Sequence, residues 1–176
     1  RRAPAHAAVL ASIGVNTRRR AGRMALLVAL AWGPATPAAS AAAIAWTVDP
    51  AHSRLTFHPR LAGGEFAGRF ERFDATIRFD PANLAHSSLL VVVDLLGART
   101  GDTDRDTALQ GRDFFETARW PRGTFASTGI RSLSEGRFEA TGKLTLRDVT
   151  RDVRVQFRFD PAAPSGSAAR MIGSSN

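Results

Sequence analysis

The stretch that decides the fold reads RFEATGKLTLRDVTRDVRVQFRF, from Arg137 to Phe159. Apolar and polar residues alternate along both halves of it, which is typical of strands that bury one face and expose the other. The polar link at residues 147–150 lets the halves fold back on each other, so the stretch predicts an antiparallel hairpin. The apolar face of this hairpin consists of Phe138, Ala140, Leu144, Leu146, Val153, Val155, Phe157 and Phe159.

Similar alternating runs lie on both sides of the hairpin. Turn signals separate them, such as the segment from Asp49 to Ser53, and we expect a bulge near Glu71. We count about eight strands at short spacing, which predicts an antiparallel sandwich or barrel. The runs outside the hairpin lie at residues 45–49, 54–58, 66–70, 73–79, 87–96, 124–133 and 169–172.

One of these runs, at residues 87–96, is apolar on both faces, since Leu90 and Val92 point away from the other leucines and valines. Antiparallel sheets normally leave one face to water, so we expect another element to cover the outer face here. The next segment carries helix signals: an N-cap at Thr103, aspartates in the first turn and a stop at Gly111. We therefore predict a short inserted helix that covers this strand.

The N-terminal residues 18–45 have the pattern of a secretory signal. A cluster of arginines precedes an apolar run from Met24 to Trp32, and small residues with an Ala-x-Ala pattern follow. The apolar run is too short to span a bilayer. We expect cleavage after this pattern, a mature domain that begins near Trp46, and a periplasmic or secreted location. The expected division is an upstream segment and signal at 1–45 and one barrel domain at 46–176.

The positive charge of the chain is concentrated at its N-terminus. The formal net charge is +8, from 24 basic and 16 acidic side chains, but six arginines and no acidic residue precede Trp46. The remainder carries 18 basic and 16 acidic side chains, a net charge of +2. A nearly balanced domain has no electrostatic footprint for phosphate backbones, so we expect no nucleic-acid partner. The lack of cysteine excludes disulfides, thiol nucleophiles and zinc–thiolate sites.

The histidines, aspartates and serines that could act in catalysis or bind a metal do not have the sequence spacing of known motifs. Aspartates alternate at 102, 104 and 106 as in a calcium loop, but Thr107 stands where that loop needs glycine. The histidines match no local metal motif, and no serine has a GxSxG context. We expect no metal, no cofactor and no catalytic residue. The alternative left open is an enzyme acting on a small amphiphile, with His52 or His58 as the base.

The interior of the barrel allows two interpretations. Eight strands enclose a space that side chains just fill or that holds one small ligand. The alternation of apolar and polar residues is the same in both cases, so it does not distinguish a packed barrel from a ligand cavity. Arg105 and Asp106 are candidates for binding a polar head group at the cavity mouth, although a surface ion pair explains them equally well. The side chains that we expect to line the interior are Phe57, Leu89, Val91, Phe115, Phe125, Leu144, Leu146, Val155 and Phe157.

An ordered set of motifs resembles the YceI-like family of lipocalin-like, polyisoprenoid-binding proteins. Each motif alone is weak, but their order over about 105 residues is specific. The motifs are WTVDPAHS at 46–53, GRF at 68–70, FDP at 79–81, TG at 100–101 with Arg105, Asp106 and Leu109, DFF at 113–115, WP at 120–121, TF at 124–125 and GKLTLRDVT at 142–150.

The resemblance implies an eight-stranded antiparallel barrel with a helical insertion, exported to the periplasm. It implies a hydrophobic pore that holds an isoprenoid quinone, a polyprenyl phosphate or a fatty amphiphile, and no catalytic residues. It implies no membrane span after signal cleavage, and a homodimer is left open.

Two features depart from the family pattern. Asp148 stands where the family usually has glycine, in an exposed turn. Family members also continue beyond residues 169–171 into further barrel strand, and this sequence stops at Asn176. We therefore expect the last strand region to be missing and the hairpin to lie beside an incompletely closed seam.

Overall fold

The structure is a computed structural model of the 176-residue chain and describes residues 7–16, 43–61, 64–160 and 168–175. It contains one α-helix, α1, at Thr103–Gln110, and short 3-10 turns at Leu84–His86 and Leu95–Gly97. The strands are β1 Ala7–Asn16, β2 Ala45–Leu61, β3 Gly64–Glu65, β4 Gly68–Phe70, β5 Phe73–Arg78, β6 Ser88–Asp94, β7 Ala98–Arg99, β8 Arg122–Ser134, β9 Arg137–Leu146, β10 Val149–Asp160 and β11 Ala168–Ser175.

The longer strands form an antiparallel sheet that curls back on itself. Its order is β1-β11-β10-β9-β8-β6-β5-β2, and β1 also pairs with β2, so eight strands form a ring of pairings. The short strands β4 and β7 extend the sheet beyond β2, and β3 pairs with β2. The prediction of an eight-stranded antiparallel barrel with one short helix is confirmed.

The seam between the hairpin and β2 is only partly closed. Strand β11 pairs with Val155 to Asp160 of β10, and Val149 to Arg154 have no strand partner on that edge within the described residues. The expected incomplete closure is therefore confirmed, but it is confined to six residues of β10. Strand β1, which bridges the seam between β11 and β2, was not predicted as part of the barrel.

The predicted hairpin forms in the expected register. Strands β9 and β10 pair from Leu146 opposite Val149 to Arg137 opposite Arg158. Only Arg147 and Asp148 connect them, and Arg147 has φ +59°. A positive φ at the first residue of a two-residue turn suits the right-handed twist of the hairpin, although it normally favours glycine.

The predicted turn between Asp49 and Ser53 is instead a bulge inside the continuous strand β2. Ser12 of β1 pairs with Arg54 and Gly14 pairs with Asp49, so β2 has several extra residues at this point. The Asp49 carboxylate accepts a bond from the backbone N–H of Ala51 at 3.0 Å and lies 2.9 Å from His52 Nδ1. The turn chemistry was correct, but pairing with β1 keeps the strand continuous.

The main core is an aromatic cluster at the end of the barrel where β5 ends and β6 begins. Phe79 is fully buried and meets Phe138, Phe157 and Phe159 edge-on, at ring-centroid distances of 4.9, 5.4 and 4.8 Å. Trp46 packs on Phe159 at 5.2 Å and donates a hydrogen bond from Nε1 to the Phe79 carbonyl at 2.8 Å. We call this the closed end.

A second cluster lies at the opposite end, under α1. Leu109 is the buried residue of the helix and packs with Phe57 and Ala98. Asp102, not Thr103, is the N-cap, because its carboxylate accepts from the Arg105 N–H at 2.9 Å. We call α1, the loop after it and this cluster the capped end.

The predicted cover over the outer face of β6 is wrong. Leu90 is 39% exposed and Leu96 is 43% exposed, so these side chains remain in contact with solvent. The helix buries Leu109 in the aromatic cluster at the capped end instead. An eight-residue helix with one buried apolar residue has little surface with which to cover a strand face.

The segment predicted as a signal, residues 18–45, lies almost wholly outside the described residues. Among the residues that are described, no helix combines the length and apolarity needed to cross a bilayer.

Candidate ligand site

Apolar side chains line the inner face of the sheet between the closed and capped ends. Val91 on β6, Leu144 on β9 and Val155 on β10 pack against the main core, yet each is only partly buried. The neighbouring aromatic residues, such as Phe125 and Phe157, are buried. These apolar side chains therefore remain partly accessible at this level of the sheet, unlike the aromatic residues of the main core.

Strand register brings these side chains together. Val91 lies directly opposite Phe125, and Phe125 lies directly opposite Leu144. Cross-strand partners have Cβ atoms about 4.5–5.5 Å apart, so the three side chains form a continuous apolar wall. A Cβ added to Gly142 would lie 2.6 Å from the Phe125 ring and 2.5 Å from the Ala126 carbonyl oxygen, so the lack of a side chain here lets this ring lie flat on β9.

The predicted lining residues separate into three groups. Leu89, Phe125 and Phe157 belong to the main core, and Phe57 and Phe115 to the cluster at the capped end. Val91, Leu144 and Val155 are the partly buried lining between the two. Leu146 is half-buried beside β8, where its Cδ2 atom lies 2.7 Å from the position of a Cβ on Gly123.

Aromatic rings close the capped end. Phe57 lies 4.7 Å from Phe70 and 6.4 Å from Phe115, and Phe70 lies 6.2 Å from Phe115, measured between ring centroids. Phe114 and Phe115 belong to the loop after α1, so the cover of this end is a loop rather than a strand. Because loops open at a lower free energy than strands, this loop is the part of the capped end that opens most readily.

Arg147 fastens that loop to the hairpin. Its Nη2 atom lies 2.9 Å from Glu116 Oε2, and its Nη1 donates to the carbonyls of Arg112 and Phe114 at 3.0 and 3.1 Å. Both Arg147 and Glu116 have positive φ, at +59° and +48°. The Nε of Arg147 is buried without a hydrogen-bond partner. These are the features of a strained clamp that surrounding contacts hold in place.

The sequence pattern did not identify this clamp. Arg147 was assigned only to the polar link of the hairpin, and Glu116 was given no role. The available signal was a long cationic side chain in a two-residue hairpin turn, but its partner is 31 residues away in the chain.

The two predicted head-group candidates are engaged in local contacts on α1. Asp106 accepts hydrogen bonds from the backbone N–H and the hydroxyl of Thr100, both at 2.7 Å. The Thr100 hydroxyl bond is the main reason that the pKa of Asp106 lies below its ordinary value. The guanidinium of Arg105 lies over the Phe66 ring, 4.7 Å from its centroid, and 3.7 Å from the Asp102 carboxylate.

The two histidines of the enzyme alternative both lie on β2, where His58 is half-buried opposite Ala8 of β1 and His52 is exposed. His52 and Asp49 are within hydrogen-bond distance, but the His52 side chain is 77% exposed and belongs to the bulge in β2. Among the described residues, no group of three or more histidines and acidic residues is arranged to hold a metal ion.

A polar cavity of about 660 Å³ lies mainly on the outer face of β8, β9 and β10. At its floor Glu139 is only 4% exposed, and its Oε1 accepts bonds from Nε and Nη2 of Arg131 at 2.9 and 2.7 Å. The Arg131 bond is the main reason that the pKa of Glu139 is lowered, and Gln156 adds a third bond at 3.3 Å. The cavity is lined by Thr128, Glu139, Thr141, Gly142, Asp152, Val153, Arg154 and Gln156.

An antiparallel eight-stranded barrel with an apolar inner face defines a lipocalin-like binding fold. The YceI-like domain model matches residues 46–174, and the chain belongs to the YceI-like family. The fold of this family is a binding-protein fold and not that of a known enzyme family.

Relatives support this assignment. The chain is 32% identical over 123 residues to a UPF0312 protein of Vibrio cholerae and 30% identical over 154 residues to a UPF0312 protein of Vibrio campbellii. The first match covers 69% of this chain and 65% of the relative, and the second covers 85% and 79%. The chain therefore spans about two thirds of the length of the Vibrio cholerae relative.

Solved structures show the same fold. BcnA of Burkholderia cenocepacia superposes with a TM-score of 0.63 at 20% identity, over 73% of this chain and 98% of BcnA. A mutant CJ YCEI protein with a monobromobimane guest superposes with a TM-score of 0.52 at 29% identity, over 57% of this chain and 60% of that protein.

Proposed function

We propose that the protein binds a long-chain isoprenoid or a similar amphiphile inside its barrel, for transport or storage in the cell envelope. The ligand classes are an isoprenoid quinone, a polyprenyl phosphate or a fatty amphiphile. The observation that carries the proposal is the partly accessible apolar lining formed by Val91, Leu144 and Val155 between two aromatic clusters.

Burial of apolar ligand surface supplies the affinity. Each Å² removed from water contributes roughly 25 cal/mol before the costs of ordering the ligand. A long flexible chain loses much conformational freedom on binding, so a continuous apolar wall is needed to offset that loss. The cross-strand row of Val91, Phe125 and Leu144 is such a wall.

The other predicted lining residues have supporting roles in this proposal. Leu89, Phe125 and Phe157 form the floor toward the closed end, while Phe57, Phe115 and Leu146 surround the end of the ligand nearer α1. Arg105 and Asp106 lie at that same end and are the nearest head-group candidates on the helix.

Location in the periplasm is part of the proposal. It is supported by the arginine cluster and apolar run of residues 18–45. The proposed domain division, with a signal before Trp46 and a barrel domain after it, is supported by a family match that begins at Trp46. Strand β1 lies upstream of that boundary and pairs with β2 and β11, so cleavage there would leave seven of the eight paired strands.

A matched pair of tryptophan substitutions tests the ligand site. Leu144→Trp places a large ring in the lining, whereas Leu90→Trp makes the same change on the outer face, where Leu90 is 39% exposed. We expect Leu144→Trp to weaken binding of dansylundecanoic acid and decylubiquinone at least about tenfold, a loss of about 1.4 kcal/mol. Leu90→Trp should leave binding unchanged.

Fluorescence titration with these two probes is the measurement, and far-UV circular dichroism confirms that both variants fold. Equal binding by the two variants would show that the lining does not hold the ligand.

A further inference from the structure

The outer face of β9 and β10 carries more cations than its ion pairs use. Arg137 of β9 and Arg158 of β10 lie directly opposite each other in the register, and both are exposed. Like charges in directly opposite positions repel each other and destabilise a sheet. Neither arginine forms an ion pair with any residue that the structure describes.

Arg154 adds a third such cation to the same face. It lies four residues before Arg158 on β10, opposite Thr141, and makes no ion pair within the described part of the chain. The other charges on this face are matched, since Arg131 pairs with Glu139 at 2.7 Å and Lys143 pairs with Asp152 at 3.0 Å. We call Arg137, Arg154 and Arg158 the free arginine row.

The row belongs to a wider asymmetry of charge. Residues 118–176 carry ten basic and five acidic side chains, whereas residues 46–117 carry eight basic and eleven acidic ones. The barrel domain is therefore nearly neutral in net charge only because two halves offset each other. The half that contains β8 to β11 is cationic, and the half that contains β4 to β7 and α1 is anionic. A protein with this distribution orients in the field of a charged surface.

The polar cavity lies in the middle of the cationic face. Arg154 lines it together with the hydroxyl-bearing side chains of Thr128 and Thr141 and the amide of Gln156. Two carboxylates also line the cavity, and both form ion pairs, Glu139 with Arg131 and Asp152 with Lys143. Arg154 forms no such ion pair, although its charge helps to lower the pKa of Glu139. The hydroxyls, the amide and Arg154 are the groups left to meet an anionic, hydroxyl-rich head group.

We propose that this face docks the protein on an anionic phospholipid membrane, with the free arginine row against the phosphates and a head group in the cavity. The proposal rests on the proposed function, because a carrier of a bilayer-soluble amphiphile must meet the bilayer to exchange its ligand. The apolar lining and the cationic row are on opposite faces of β9 and β10, so docking and ligand burial use different side chains.

The test is co-sedimentation of the full chain with vesicles of phosphatidylcholine alone and of phosphatidylcholine mixed with phosphatidylglycerol. The double variant Arg137→Gln/Arg158→Gln is compared with Arg54→Gln/Arg78→Gln, which removes two exposed arginines from β2 and β5. The three proteins are identical outside the substituted positions, so a difference in vesicle binding between the variants reports the sheet face.

We expect the wild type and the control variant to prefer vesicles with phosphatidylglycerol. The Arg137/Arg158 variant should bind them roughly 30-fold more weakly, about fivefold for each charge lost. Added salt should narrow this difference. Uptake of decylubiquinone in vesicle-free solution should be the same for all three proteins.

Equal vesicle binding by the two variants would overturn the proposal. Release of the wild type by millimolar glycerol phosphate would also overturn it, because the row would then be a site for a free phosphate. Loss of decylubiquinone uptake in the Arg137/Arg158 variant would show that the substitutions damage the barrel. In that case the vesicle comparison is repeated with Arg154→Gln. If the wild type binds the vesicles but takes up no amphiphile, the proposed function is wrong, whereas the membrane-docking face is supported.

Discussion

The two ends of the barrel are closed by different kinds of contact. At the closed end, Phe79 is fully buried among three other phenylalanines that all lie on paired strands or directly next to them. At the capped end, a loop and an eight-residue helix cover the aromatic cluster, and a clamp at Arg147 holds them. The first end depends on packing of continuous strands, and the second on a small number of polar contacts.

This difference indicates which end opens. Strand pairs that share a packed core open only with global unfolding, whereas loops with few buried contacts open locally at low free energy. Arg147 and Glu116 also hold backbone conformations that are unfavourable for residues other than glycine. The capped end is therefore the expected entry for a ligand, and the closed end is its floor.

The largest expected effect is at the closed end. Phe79→Ala removes a ring with no solvent exposure and leaves a cavity among its aromatic neighbours. We expect the free energy of unfolding to fall by about 3–5 kcal/mol, as for other buried phenylalanines. Urea denaturation followed by circular dichroism measures it.

The control for this substitution is Leu96→Ala, since Leu96 is 43% exposed. It should change stability by no more than about 0.5 kcal/mol. If Phe79→Ala lowered the free energy of unfolding by a similarly small amount, the aromatic cluster would not be a main source of stability.

A smaller and local effect is expected at the capped end. Arg147→Met removes the ion pair to Glu116 and the bonds to two loop carbonyls, with side-chain exposures of 33% for Arg147 and 20% for Glu116. Because water screens this half-buried pair, we expect a loss of about 1–2 kcal/mol. Amides of residues 112–117 should exchange about tenfold faster, while those at the closed end should not change.

Hydrogen exchange followed by mass spectrometry measures this difference between the ends. Arg147→Lys keeps the charge without the forked donors, so its effect should lie between those of the wild type and Arg147→Met. If amide exchange in Arg147→Met became equally faster at both ends, the two ends would not open independently, which contradicts this account.

The smallest expected effect is the pH dependence that Asp106 contributes at the capped end. The Thr100 hydroxyl keeps the pKa of Asp106 below its ordinary value. A lowered pKa means that the carboxylate stabilises the fold above its unfolded pKa of about 4, and that this contribution is lost as the pH falls through the folded pKa. The pKa of Glu139, next to Phe138 of the main core, is also lowered, so the contribution of Asp106 is isolated by comparing the wild type with Asp106→Asn.

The check is hydrogen exchange at pH 6 and pH 3, corrected for the intrinsic rates. Residues 100–110 should lose protection at the lower pH, and Asp106→Asn should abolish that change. An equal loss of protection at residues 100–110 in the wild type and in Asp106→Asn would be evidence against this titration.

Alternation predicted most of the barrel because the inner and outer faces differ strongly in polarity. The hairpin at residues 137–159 has the register and the buried face expected from its sequence, down to Phe138, Phe157 and Phe159. The same reasoning failed at Leu90 and Leu96. An apolar residue on an outer face does not require a cover, and where α1 packs depends on a contact far away in sequence.

Two features could not be predicted from the sequence: which lining residues are buried, and the contact between Arg147 and Glu116. Periodicity assigns Val91 and Leu89 to the same face, but only the packing around them shows that Leu89 is buried and Val91 is not. Arg147 and Glu116 meet because two turns lie next to each other in space. Strand β1 lies upstream of a signal-like segment, and sequence order alone does not place it beside β11.

Native mass spectrometry of the protein, purified from its own cell envelope, tests the central claim most directly. We predict a co-purifying amphiphile on the wild type and on Leu90→Trp, and its loss from Leu144→Trp. A wild type that carries no lipid, and that takes up neither an isoprenoid quinone nor a polyprenyl phosphate when these are added, would contradict the account.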